Sequence, residues 1–260
     1  EDSAKELKLV QGLTRLIEKV RPGNSSLSDQ DLTLMERMAA HQMIPYNSDA
    51  YIAGIEQFER NLGQMLRLFQ KHHIPVFIGT LAGNQKDQTP LNKENSPFYN
   101  AQDEYLKGEE AYIQEQYDES LLHYTQAKEY DQLRFRAPEA FNRIIQRYGE
   151  EYDNVHVVDV YKKFADYSPH GLIGKELILE HVHPNLTGQR LIAETFFESL
   201  ASHFFPERNL RPVDYKLEAT DYPVTLFDSI YGDLVIAKLK QQWPFNEPPT
   251  VLDRKSTRLN

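Results

Sequence analysis

Two short apolar runs, IPVFIGT (74–80) and VHVVDV (155–160), each follow a stretch with helical periodicity, and that pairing constrains the fold most. Uninterrupted runs of this length, rich in valine and isoleucine, suit strands buried on both faces of a parallel sheet. Before the first run, the segment 47–73 sets Ile55, Phe58, Leu62, Met65, Leu66 and Phe69 on one helical face. Before the second, PEAFNRIIQRYGEEY (138–152) is also helical in pattern. Helix, short turn, buried strand is the unit from which α/β folds with parallel sheets are built.

About seventy residues separate the two runs, far more than an ordinary αβ connection uses. KGEEAYIQEQYDESLLHYTQAKEYD (107–131) accounts for most of them. Gly108, Tyr112, Tyr117, Ser120, Tyr124, Ala127 and Asp131 fall at the small and aromatic positions of a tetratricopeptide repeat. Small residues there let two antiparallel helices approach, and the aromatics fill the space between them. A single repeat cannot bury its own face, so this one is expected to pack on the α/β body or on neighbours of its kind. A generic helical hairpin would satisfy the same pattern.

Beyond the second run come SPHGLIG (168–174), LEHVHPN (179–185) and a helical stretch, 185–204, whose Leu191, Ile192, Thr195, Phe196 and Leu200 can pack on the sheet. Further helices are expected over 1–20, after a cap at Ser28, and over DSIYGDLVIAKLKQQ (228–242). The chain reads as a body in two parts, 1–100 and 135–204, with an inserted hairpin at 101–134 and a helical extension at 205–252. The basic, aperiodic DRKSTRLN (253–260) is expected to be foreign to the fold. Because the pattern at Glu1 reads as the middle of an element, an upstream part is expected to be missing.

LEHVHPN supports three readings. As a metal site, His181 and His183 project to one side of an extended segment, Glu180 approaches, and His156 or Asp159 adds a ligand. As a structural element, histidines beside a helix start hydrogen-bond to backbone. As a catalytic element, Glu180 accepts the Nδ1 proton of His183 and leaves Nε2 free to take a proton from a serine hydroxyl. Imidazole suits that task because its ordinary pKa of ~6.5 lets it accept and return a proton at neutral pH.

With its surroundings, the motif resembles the carboxy-terminal part of the SGNH, or GDSL-type, hydrolases. The resemblance covers 51–84, 131–145, VHVVDVYKKF (155–164) and 168–197. More narrowly, it is similar to a bacterial subgroup with a tetratricopeptide segment between the last two strands. The resemblance implies a parallel three-layer α/β/α sandwich and a serine-dependent esterase needing no metal or organic cofactor. It makes His183 the general base and Glu180 its orienting carboxylate, in place of the family's usual aspartate. The family's Gly-Asp-Ser, glycine and asparagine blocks do not occur here, so the nucleophile and oxyanion donors are expected upstream of Glu1. FDSI (227–230) mimics the nucleophile block, but it follows His183 and begins a helix, so Asp228 and Ser229 read as helix-capping residues.

Two further residues are candidates for substrate binding. Asn84 follows the first run, where it can meet substrate or orient the loop. Arg136, in LRFRAP (133–138) with Arg134, can bind an anionic group or pair with an acidic side chain. The formal net charge of −10 disfavours nucleic acid as a partner. The absence of cysteine excludes thiol chemistry, and no run is long enough to span a membrane. The expected partners are a small-molecule or glycan ester and, through the hairpin, a protein. An O-acyltransferase using the same site is an alternative, as is a scaffold protein on an inactive hydrolase fold. The compartment is not fixed by the residues; the resemblance implies an exported or membrane-anchored parent.

Overall fold

Ser48 starts the first of the described helices, α1 (Asp49–Lys71), by accepting the Tyr51 N–H at 3.2 Å. The chain then turns at His73, whose φ is 55°, into β1 (Val76–Gly79). Next come α2 (Ala101–Ile113), α3 (Tyr117–Tyr130), α4 (Glu139–Glu151) and β2 (Val155–Val158). α5 (Val160–Tyr167), a 3-10 turn (Pro169–Gly171), α6 (Leu186–Phe204) and α7 (Leu226–Gln241) complete the order. The computed structural model describes residues 43–91, 98–210 and 224–248. The helices expected over 1–20 and after Ser28, and the tail at 253–260, lie outside the described residues.

The fold is helix-rich α/β around a two-stranded parallel sheet, with Val76 opposite Val155 and Gly79 opposite Val158. Alternation along the strands separates two cores. Val76, Ile78, Val155 and Val157 pack with Leu62 and Leu66 of α1 and with Ile144, Ile145 and Tyr148 of α4. Phe77 and Val158 join Phe164 of α5 and Leu191, Ile192 and Phe196 of α6. Among the described residues no helix is long and apolar enough to cross a membrane.

Three sequence expectations change. β1 is half-buried along its whole length and Ile74 is 45% exposed, because no strand pairs with its other edge among the described residues. The second run ends as a strand at Val158, since the Asp159 side chain accepts the Lys162 N–H at 3.1 Å and starts α5, an unforeseen helix. On α1, Leu62 and Leu66 are buried while Met65 and Phe69 are exposed. Neighbours such as 65 and 66 lie about 100° apart around a helix, so one contact surface covers only half of so wide a stripe.

The stretch 101–130 is a hairpin whose helices touch through Gly108. A Cβ there would stand 2.8 Å from the Tyr124 ring, and the buried Ser120 hydroxyl donates to Gly108 O at 2.8 Å. Tyr105, Tyr124 and Ala127 enclose Leu172 of the body, which is completely buried. At the hairpin's foot, Asp131 accepts the Leu91 N–H at 2.9 Å, which ties entry to exit.

Candidate active site

The carboxyl ends of both strands feed one cluster of loops. The Thr80 hydroxyl, just past β1, donates to Asp159 at 2.9 Å and accepts the Tyr161 N–H at 2.8 Å, locking the strand ends together. The loop after β1 is stitched to the segment leading toward His183. Gln85 and Lys86 donate their N–H groups to Ile173 O at 2.9 and 3.1 Å, and Asn84 donates its own to His181 O at 2.9 Å. The Asn84 side chain, almost wholly buried, donates to Glu180 O at 2.9 Å and accepts the Asp87 N–H at 2.8 Å.

His183 sits at the tip of a tight reversal. Ile178 bridges Pro184 in antiparallel fashion, Leu179 N–H donates to His183 O at 2.8 Å, and Asn185 N–H donates to Leu177 O at 2.8 Å. Asn185 then caps α6 by accepting the Gly188 N–H at 3.0 Å. Gly188 is required there: a Cβ would lie 2.5 Å from Leu177 O, so only glycine lets the first turn of α6 rest on the reversal.

Glu180 is the buried centre of this reversal, with its side chain 1% exposed. Oε1 accepts from Nδ1 of His183, while Oε2 accepts the backbone N–H of His181 and, at 2.8 Å, that of Val182. Burial opposes ionisation of this carboxyl, but hydrogen bonds from His181, Val182 and His183 outweigh it and hold the pKa down to about 2. The His183 side chain is 70% exposed, and Nε2 makes no hydrogen bond among the described residues. The site is a carboxylate, an oriented imidazole and a free basic nitrogen facing outward.

The depressed pKa has a consequence for stability. Glu180 stabilises the fold fully above the ordinary carboxylate value, and that contribution disappears as pH falls through about 2. Melting temperatures recorded from about pH 6 to pH 2 should fall more steeply for the wild-type chain than for Glu180→Gln, which lacks the titration. Parallel curves would show that the carboxyl is not held ionised.

The sequence candidates separate in space. Glu180 and His183 meet, whereas Asn84 and Arg136 are buried and bonded within the neighbouring loops. Arg136 donates to Asn84 O at 2.9 Å and pairs with Asp131 at 3.2 Å. Arg134 likewise donates to Ile44 O at 3.0 Å and lies over the Tyr51 ring. His156 packs on Phe77 and His203, at the opposite end of β2 from this loop. Among the described residues no group of three histidine, aspartate or glutamate side chains could hold a metal ion.

Sequence reasoning missed the packing of His181, whose ring lies 5.4 Å from both Phe135 and Phe245. Nothing local announces it, because the two phenylalanines come from distant segments. A groove of about 570 Å³ runs beside the reversal, lined by Leu179, Leu186, Tyr231, Val235 and Ile236 among others. Ser229 also lines it, but its hydroxyl donates to Thr225 O, and Asp228 forms the capping box of α7 with Thr225.

No protein-family model, curated protein or solved structure matches the chain.

Proposed function

We propose that the chain is the carboxy-terminal part of a serine-dependent, SGNH-type esterase, with His183 as its general base. The observation that carries this reading is the buried Glu180 carboxylate bound to Nδ1 of His183, with Nε2 left open to solvent. In this scheme Nε2 takes the proton of a serine hydroxyl as its oxygen attacks the ester carbonyl. The carboxylate stabilises the imidazolium that forms, and the proton then passes to the departing alkoxide. Water repeats the sequence to release the acid; a sugar hydroxyl in its place would make the same site an acyltransferase. In this scheme the serine and the oxyanion donors come from residues outside those described. The steps assigned to His183 and Glu180 call on no metal or organic cofactor.

The finer architecture follows from the same reading. With α1 and α4 on one face of the sheet and α5 and α6 on the other, β1 and β2 suit the last two strands of a three-layer sandwich. Close packing of Gly108 and Ser120 against aromatic neighbours supports a tetratricopeptide-type insertion between them. The apolar groove beside the reversal suits the organic part of an ester. Leu106, Ile113 and Leu122 are exposed on the hairpin and favour a protein partner there, as a scaffold protein would also have.

A fluorophosphonate probe tests the reading on the intact protein. Labelling of one serine, lost in His183→Ala with the fold retained, is the expected result. Labelling that persists in the variant removes His183 from the mechanism, and no labelling of the wild type leaves the scaffold reading.

A further inference from the structure

We propose that His181 is a positioning residue for the base: it donates its Nδ1 proton to Oε2 of Glu180 and so shares that carboxylate with His183. The inference rests on the reading of Glu180 and His183 as the base pair. Its ground is geometric. Nδ1 of His181 lies 2.8 Å from Oε2, yet the two stand out of line for a good hydrogen bond, and this buried nitrogen has no other partner. The ring packs against Phe135 and Phe245, and its side chain is 8% exposed. Buried polar atoms in folded chains find partners, and a small tilt of the ring supplies one here.

The location of the proton follows from charge. A bare Nδ1 would turn its lone pair toward an anionic oxygen at van der Waals contact or closer, which is repulsive. A protonated Nδ1 makes a charge-assisted hydrogen bond instead. His181 is therefore fixed as the Nδ1–H tautomer, as His183 is, and the two imidazoles divide the carboxylate between them. His183 takes Oε1, while His181 and the backbone N–H groups take Oε2. Charge drawn onto Oε2 is charge withheld from Oε1, so His181 sets how strongly Glu180 supports a proton on His183. Among the described residues, Glu180 and His181 are the titratable groups on the loop of His183, and Asp228, Tyr231 and Asp233 of α7 line the groove beside the reversal.

Nitrogen-15 NMR of the chain as it stands tests this without any turnover. In the wild type, His181 should be protonated at Nδ1; a proton found only at Nε2 overturns the proposal, with no variant needed. In His181→Phe, which keeps the aromatic packing and removes the donor, the proton affinity of His183 should rise several-fold. In His181→Asn, whose amide nitrogen replaces Nδ1, it should return to within about twofold of wild type. Equal affinities in wild type and a folded His181→Phe overturn the proposal. Fluorophosphonate labelling of the intact protein reports separately on the esterase reading, so either can fail while the other stands.

Discussion

Replacing Arg136 with methionine should remove about 3–5 kcal/mol of folding stability, the usual cost of removing one member of a buried ion pair. Arg136 is 5% exposed and joins the loop after β1 to the hairpin's exit: it pairs with Asp131 and donates to the carbonyls of Asn84 and Gln88. Methionine fills much of the volume but removes the guanidinium that pairs with the buried Asp131 carboxylate. Denaturant titration of the single variant measures the loss. Arg136→Met with Asp131→Asn should recover part of it, because a buried amide costs less than a buried carboxylate that has lost this guanidinium. A loss below about 1 kcal/mol would mean that water reaches the pair in solution and that the loops around it are looser than described.

Glu180→Gln should leave the fold largely intact and cut turnover of the intact protein by about 10⁴-fold, on the precedent of catalytic triads whose orienting carboxylate becomes an amide. The mechanism of the loss can be stated atom by atom. Two backbone N–H groups point at Oε2, so the glutamine oxygen must stay there and its NH₂ must face His183. Nδ1 of His183 then has to accept, which moves the ring proton to Nε2, the atom that should be empty. The rate constant kcat should fall while KM changes little, since nothing that meets substrate has moved. A variant that keeps near-normal turnover would show that Glu180 serves only the loop.

The sequence announced what is periodic or local. Val155–Val158 and the helix before it were legible because their core contacts recur along the chain. Glu180 and His183 were legible for a related reason: a spacing of three residues on a reversal brings a carboxylate to an imidazole without help from elsewhere. Asn84 and Arg136 were visible as polar residues in telling places, but their burial was not. It depends on Glu180, Asp131 and Gln88, side chains and carbonyls supplied by other loops. The outward turn of Met65 and Phe69 was equally hidden, because hydrophobic spacing reports what can be buried and leaves open what covers it.

The contact between Asp131 and Leu91 bears on the order in which the chain acquires its shape. Asn84 must find the backbone of Glu180 across a long stretch of sequence, and the entropy lost in closing such a span grows with its length. The helical hairpin is assembled from neighbouring residues, so it can form early and at small entropic cost. Once Asp131 holds Leu91, the path from Asn84 to Glu180 is shortened by everything inside the hairpin. The hairpin thereby acts as a shortcut, easing the late search in which the loop after β1 meets the reversal.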